Sequence, residues 1–458
     1  MTVFDQTFFV LGAARSGVAL VDYLLKHDAK KIFFADNKPI QECIANAAER
    51  EKYVAAPNLV LLMGTKIDEE IIAEADLLIT SPSVPPANAI VQSAKKYNIP
   101  VMTEIEFAYT LGKAPIIAIT GTNGKTTTTT LTGEVMKSAQ IPVCVGGNIG
   151  TPLISCVDEV GKDGVMVAEI SSYQLELCEV FHPKIAVITN ITPDHLDRHG
   201  SFEEYTRVKY KITAHQGPQD VLILNADDDL ARAAEELTQA QCLLFSTRQK
   251  VHNGAYYSAQ DGGLYLVRDG AETLLMYQKE LKIPGLHNAA NALCAILAGY
   301  AFGLELSQII AAVKAFGGVA HRIEYVDTKE GVDYINDSKG TNTDATTIAL
   351  KAMSKPVVLI LGGYDKGGEF DALMPVIKEK AIFVITVGAT AEKIEKMLQE
   401  NEFDAFVRAK DYKEVVALAH KKAKAGQVVL LSPACASWDM FSCFEERGEV
   451  FKELVGEI

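Results

Sequence analysis

None of the chain's eight cysteines falls in a C-x-x-C pair. Scattered thiols in a large chain point to a reducing cytoplasm and not to a disulfide framework. A basic excess is missing too: 44 Lys and Arg stand against 59 Asp and Glu, a formal net charge of −15. That balance excludes general affinity for nucleic acid or an anionic membrane, while a local cluster of cations and helix N-termini still suits an anionic small substrate. No apolar run is long enough to span a bilayer; the longest, from Ala289 to Leu304, holds Asn291 and two glycines. The opening MTVFDQTFFV lacks a basic start and is interrupted by Asp5 and Gln6, so no signal peptide is expected. A short-period repeat is also absent.

What is present is an ordinary globular composition, 48% hydrophobic and 22% charged over 458 residues. Disordered and fibrous classes are excluded, and at about 150 residues per domain the length predicts three domains. Short apolar runs, Gly- or Ser-rich turns and helical stretches alternate from end to end. This is the pattern of parallel sheets with helices on their faces. Strands are predicted over 8–11, 31–35, 59–63 and 77–80, then 115–120, 165–170, 185–190 and 221–225, and finally 357–361, 382–387 and 428–431. Segments around Tyr256 and Tyr265 read as a small antiparallel meander, and one long helical stretch runs from His287 to Gly317-Gly318. The boundaries so drawn are 1–103, 104–316 and 317–458.

The strongest local signal is Gly121-Thr122-Asn123-Gly124-Lys125-Thr126-Thr127, set between an apolar strand and a Thr-rich helix. Glycines let backbone N–H groups converge on phosphate oxygens, and the helix N-terminus adds partial positive charge. Lys125 then reaches the outer phosphates and Thr126 offers a hydroxyl to Mg²⁺. The eight-residue phosphate-loop pattern is incomplete, because Ile119 takes its first glycine position. Glu169 ends the next apolar strand, where a Mg²⁺ ligand is expected; an ordinary acid facing water is the plainer reading. The phrase Asp194-His195-Leu196-Asp197-Arg198-His199 follows another strand end, and its spacing alone singles out no residue. Ser201-Phe202-Glu203-Glu204 reads as a capping box. On the helix it opens, Tyr205, Lys209 and Ile212 share a face, so Lys209 is either paired or modified, or snorkels to the surface. The first loop, Gly12-x-Ala14-x-x-Gly17, is a weakened dinucleotide fingerprint, with Asp36 placed for a ribose hydroxyl.

Taken with GGNIG at Gly146, AEISSYQLE at Ala168, NITPDHLDRH at Asn190, GLHNAANA at Gly285, HRIEYV at His321, NDSKGTN at Asn336, LGGYDKGG at Leu361 and LLSPACASWDMF at Leu430, the sequence resembles the Mur ligase family over nearly its whole length. These are ATP-dependent, amide-forming enzymes of bacterial cell-wall synthesis. The resemblance implies an α/β fold of three domains: a Rossmann-like nucleotide domain, a P-loop ATPase domain with a mostly parallel sheet, and a Rossmann-like C-terminal domain. The C-terminal phrases look most like the branch that adds D-glutamate to UDP-N-acetylmuramoyl-L-alanine through an acyl phosphate. By the same resemblance Lys125, Thr126 and Glu169 hold ATP and one Mg²⁺, and His195 with a carbamylated Lys209 holds a second. Asn291, Arg322 and Asp337 contact ATP. Ser16, Asp36, Asn37, Lys38, Ser81 and Asn148 take the UDP-linked substrate, while Thr341, Lys366, Ser437 and Phe444 take D-glutamate. A cytoplasmic monomer without nucleic-acid partners is expected.

Three other readings compete. Folylpolyglutamate synthase shares the phosphate-loop phrase, but NDSKGTN and the nucleotide-like first domain argue against it. An NAD-dependent oxidoreductase leaves the phosphate loop unexplained. A non-catalytic ATP-binding regulator has no need of Glu169, His195 and Lys209 together.

Overall fold

The computed structural model describes residues 3, 5–44, 46–283, 285–364 and 369–458. The chain separates into two compact units, Met1–Phe316 and Gly317–Ile458. The first unit carries two sheets. Its five-stranded sheet, of order β3-β2-β1-β4-β5, is parallel throughout. The strands are β1 (Thr7–Leu11), β2 (Lys31–Asp36), β3 (Leu59–Met63), β4 (Leu77–Thr80) and β5 (Val101–Thr103). The nine-stranded sheet runs β14-β13-β12-β11-β10-β9-β6-β8-β7. Its parallel part is β6 (Ile116–Thr120), β7 (Val143–Gly147), β8 (Val165–Glu169), β9 (Ile185–Ile188), β10 (Val221–Asn225), β11 (Gln241–Ser246) and β12 (Gly254–Tyr257). The expected meander is there: β13 (Gly263–Arg268) and β14 (Ala271–Tyr277) continue antiparallel from β12.

The second unit has one six-stranded sheet, of order β15-β16-β20-β17-β18-β19. An antiparallel edge strand β15 (Glu324–Lys329) precedes β16 (Val332–Asn336), β17 (Val357–Leu361), β18 (Ala381–Thr386), β19 (Phe406–Arg408) and β20 (Val428–Leu431). Parallel strands covered by helices on both faces are apolar along their length, not alternately. TFFVL of β1, IIAIT of β6 and VVLIL of β17 are buried at every position.

The strand orders decide where function sits. In each sheet the chain leaves a central strand toward opposite sides, and ligands bind at the carboxyl ends beside such a reversal. In the first sheet the reversal puts the loops after β1 and β4 together. In the second it joins the loops after β6, β8 and β9, and in the third those after β16, β17 and β20.

Several expectations need correction. The long helical stretch is two helices, Leu286–Phe302 and Leu306–Ala315, because Gly303 takes φ +95° and ends the first. The capping box is half formed. Ser201 accepts from the Glu204 amide, but the Glu204 carboxylate turns to Arg207 at 2.7 Å, a stronger charged partner. Lys209 does not snorkel; it is 1% exposed. One cysteine pair is bonded after all: Cys144 on β7 and Cys156 on the helix Leu153–Val160 join, with Cα atoms 5.6 Å apart. Nothing in their twelve-residue separation signals it, since only the docking of helix on strand brings the two side chains together.

Two buried carboxyls tie the helix Glu104–Leu111 down. One Glu106 oxygen accepts from the amides of Glu179, Val180 and Phe181. Glu104 accepts from the amide of Ile154 at 2.7 Å, while its other oxygen has no hydrogen-bond partner among the described residues. Burial pushes the Glu104 carboxyl up to about 7. A raised carboxyl favours the fold while protonated, and that contribution is lost as pH rises from about 4.5 through 7. Glu104→Gln keeps the acceptor and removes the charge. Thermal unfolding of both forms across pH 4–8 is expected to give similar stability at pH 4, with the variant gaining on the order of 1–3 kcal/mol by pH 8. A pH-independent difference would show that Glu104 does not titrate in this range.

Candidate active site

The phosphate loop leaves β6 at Thr120 and enters the helix Lys125–Lys137. Two of its glycines are required by close approach. Gly121 has φ +140°, and a Cβ there would lie 2.0 Å from Thr189 Oγ1; Gly124 has φ +83°, and a Cβ would meet Asn291 Oδ1 at 2.6 Å. Asn291, on the helix Leu286–Phe302, therefore covers the loop directly. It accepts from Thr128 Oγ1 at 3.1 Å and donates to Asn288. The loop after β9 clasps the other side: Asn123 N donates to Asn190 Oδ1 at 2.9 Å, and Thr122 Oγ1 donates to the Thr192 carbonyl at 3.1 Å.

Two lysines converge on one oxygen. Lys125 Nζ donates to the Gly121 carbonyl at 2.9 Å and to that of Thr122 at 2.7 Å. Lys209 Nζ reaches the same Gly121 carbonyl at 2.7 Å, with the Tyr205 ring centre 4.6 Å away. Tyr205 OH in turn lies 3.0 Å from Thr122 Oγ1. Burial, reinforced by the charge of Lys125, pushes the Lys209 ammonium down to about 7.

Glu169, at the end of β8, is 2% exposed and lies beside Ile119 of β6. The GGNIG turn wraps it: Asn148 Nδ2 donates to Oε1 at 2.7 Å, and the Asn148 amide donates to the Glu169 carbonyl at 2.8 Å. Oε2 has no hydrogen-bond partner among the described residues. A buried carboxylate oxygen left over beside a phosphate loop suits a hard divalent cation. The described residues hold no cluster of three His, Cys, Asp or Glu able to bind a metal alone. A cation here would need further ligands such as hydroxyl, phosphate or water. His195 is the N-cap of the turn Leu196–His199, with φ +51°, and its Nδ1 lies 3.1 Å from the Tyr173 hydroxyl.

The first sheet's residues gather at its own reversal. Asp36 closes the loop after β1, accepting from the Ala13 amide at 2.7 Å and the Lys38 amide at 3.0 Å. A Cβ on Gly12 would meet Ser81 Cβ at 2.6 Å, so the Ser16 loop and Ser81 are adjacent. Ser16 is half-buried, and Asn37 and Lys38 are exposed. Arg15 Nη2 donates to the Asn148 carbonyl at 3.3 Å, which links this loop to the Glu169 turn.

In the second unit, Asp337 accepts from Ser432 Oγ at 2.6 Å and from the Ile323 amide at 3.2 Å. Burial raises its carboxyl to about 6. Arg322 stands between His321 and Ile323, both at positive φ, a conformation costly for a β-branched residue. Ser437 is buried and Thr341 half-buried, and Phe444 opens the helix Phe444–Gly456. Lys366 lies outside the described residues. Sequence reasoning missed Arg447, which is 1% exposed and donates to the carbonyls of Ser338, Cys435 and Ala436 and to Ser338 Oγ. It missed Tyr173 as well, and gave Arg198 no role. Nothing local marks any of the three, because their partners lie far away in sequence.

Comparison with known proteins agrees with this architecture. Residues 6–103 match the Mur ligase MurD-like N-terminal domain, 119–299 the Mur ligase middle domain, and 321–435 the Mur ligase glutamate ligase domain. A UDP-N-acetylmuramoylalanine–D-glutamate ligase of Pelotomaculum thermopropionicum is 43% identical, covering 97% of this chain and 96% of its own. The enzyme of the same name from Thermoanaerobacter sp. (strain X514) is 43% identical over the full length of both. Among solved structures, UDP-N-acetylmuramate-alanine ligase MurC of Thermotoga maritima shares the fold at TM-score 0.56 and 19% identity, covering 99% of each chain. MurF ligase of Thermotoga maritima in complex with ADP does so at 0.55 and 17%, covering 99% of this chain and 96% of its own. No helix among the described residues is long and apolar enough to cross a membrane. Three matching domains in order, and relatives alike from end to end, place this chain in the Mur ligase family: it is an ATP-dependent ligase that forms an amide bond.

Proposed function

We propose that this chain joins D-glutamate to UDP-N-acetylmuramoyl-L-alanine, releasing ADP and phosphate. The observation that carries the reading is the convergence, at the carboxyl ends of β6, β8 and β9, of the phosphate loop, a buried Glu169 oxygen without a hydrogen-bond partner among the described residues, and Lys209. The choice of substrates is supported by the full-length relatives at 43% identity. Residues 1–103 take the UDP-linked substrate, 104–316 take ATP, and 317–458 take the amino acid. The enzyme acts as a cytoplasmic monomer.

The substrate's terminal carboxylate attacks the γ-phosphorus of ATP, and ADP leaves. The D-glutamate amine then attacks the acyl phosphate carbon, and phosphate leaves as the amide forms. The carboxylate, the triphosphate and the acyl phosphate are all anionic, so much of the protein's task is neutralisation and positioning. Lys125 exchanges its two carbonyl partners for phosphate oxygens, and Gly121 to Thr127 present backbone amides and a helix N-terminus to the same group. Asn291 braces the loop, and Arg322 and Asp337 contact the nucleotide. Thr126 and Glu169 would hold one Mg²⁺ and His195 with Lys209 a second, which would supply charge neutralisation at the transferring phosphoryl group. Lys209 serves as a carbamate. Its lowered proton affinity leaves much of the amine neutral near pH 7, the form that adds CO₂. Ser16, Asp36, Asn37, Lys38, Ser81 and Asn148 hold the UDP-linked substrate. Thr341, Lys366, Ser437 and Phe444 hold D-glutamate, with Lys366 as the cation for its side-chain carboxylate.

Three outcomes are expected. Phosphate release in the presence of ATP and UDP-N-acetylmuramoyl-L-alanine is strongly stimulated by D-glutamate and not by L-glutamate, L-alanine or L-lysine; equal release with L-lysine refutes the substrate assignment. Lys125→Ala lowers kcat by about 10²–10³ at saturating ATP, the usual loss for a contact to developing charge. Near wild-type turnover would make the loop structural. Lys209→Ala loses activity, and acetate or formate restores part of it by replacing carbamate oxygens. Rescue by small amines instead of carboxylates would make Lys209 a cation.

A further inference from the structure

Arg198 joins two parts of the first unit that lie more than a hundred residues apart. It sits in the short turn Leu196–His199, and its side chain is 14% exposed. One edge of the guanidinium grips the Glu176 carboxylate, with Nε at 3.1 Å and Nη2 at 2.7 Å. The remaining N–H groups donate to three consecutive backbone carbonyls: Pro82 at 3.4 Å, Ser83 at 3.2 Å and Val84 at 3.0 Å. These carbonyls belong to the turn that follows β4 and Ser81. The guanidinium carbon also lies 4.8 Å from the centre of the Tyr173 ring, whose hydroxyl is 3.1 Å from His195 Nδ1.

Glu176 is itself held from other sides. His199 Nδ1 lies 3.2 Å from its carboxylate, and Lys211 Nζ donates to its carbonyl at 2.6 Å. Arg198 is thus anchored at one end on a rigid acid and reaches with the other end to a turn of the neighbouring sheet. Only a planar fork of several donors makes both sets of contacts at once; an ammonium is a point charge on a flexible stem. The carbonyls it holds carry no side-chain information, so what the contact fixes is the placement of the turn.

We propose that Arg198 is a positioning residue. It fixes the turn after Ser81 relative to His195, so that the nucleotide end and the reacting end of one long substrate meet preset contacts. This rests on the assignment of Ser81 to the UDP-linked substrate and of His195 to the reacting end. Held spacing of this kind is worth one to two powers of ten in binding or rate, because an error of about 1 Å at a reacting centre is felt strongly.

The test uses the full chain with Arg198→Lys, Tyr173→Phe and, as control, Arg207→Ala, whose partner Glu204 lies on the exposed side of another helix. Calorimetric binding of UDP-N-acetylmuramoyl-L-alanine without ATP is measured beside kcat, KM and the melting temperature. Arg198→Lys is expected to weaken binding and raise KM by about 10-fold or more. Tyr173→Phe is expected to lower kcat with binding within twofold of wild type. Arg207→Ala leaves all four quantities unchanged. Binding and KM within twofold of wild type for Arg198→Lys overturn the proposal, whether or not its melting temperature falls. If Arg198→Lys does not fold, an unchanged kcat in Tyr173→Phe overturns the link to His195. A wild type that binds the nucleotide but releases no phosphate on addition of D-glutamate refutes the reaction, and the calorimetric comparison still decides the role of Arg198.

Discussion

Two lysine Nζ atoms share the carbonyl of Gly121, and the rest of the site is arranged around that contact. Lys125 and Lys209 come from different helices, and each is brought to this oxygen by a separate piece of packing. Burial disfavours the charge on Lys209, and the neighbouring charge of Lys125 adds to that cost. In the proposed reaction a polyphosphate would relieve that conflict, because it would give Lys125 a partner better than a neutral carbonyl.

That arrangement depends on glycine at 121 and 124 and on what presses against them. Thr189 and Asn291 occupy the space that side chains there would need. The strand order supplies these neighbours, since β6 lies between β9 and β8, and the chain reverses direction across it. Asn148 then fixes one oxygen of Glu169, and the other has no hydrogen-bond partner among the described residues. Loop, acid and lysine are gathered at this one reversal, and the first and third sheets have reversals of their own, which group Gly12 with Ser81 and Asp337 with Ser432.

Much of this was legible in the sequence because it is local. Apolar runs marked most of the long parallel strands, and Gly-Lys-Thr between strand and helix marked the phosphate loop. A lysine on a buried helix face announced a conflict, and the structure keeps that conflict by burying Lys209. Short or half-polar strands such as β5, β15 and β19 went unread because their few residues carry no period. The break at Gly303 was hidden within a continuous apolar pattern. Arg447, Tyr173 and Arg198 were out of reach for a different reason. Each works through partners set by tertiary packing, and an arginine's five donors look the same in sequence whether they meet water or three buried carbonyls.

Asn291 lies 163 residues beyond Thr128, the hydroxyl that donates to it. During synthesis the phosphate loop therefore emerges long before the helix that covers it. Until Leu286–Phe302 has been made and docked, the helix Lys125–Lys137 packs only on its sheet, and Gly124 lacks the Asn291 side chain that presses on it. Contacts of such span are slow to close, because the loop entropy is lost before the contact repays it. A nascent or prematurely terminated chain that stops short of this helix exposes the apolar side of its central sheet and has no braced nucleotide loop. Apolar surface exposed in this way favours aggregation until the covering helix docks.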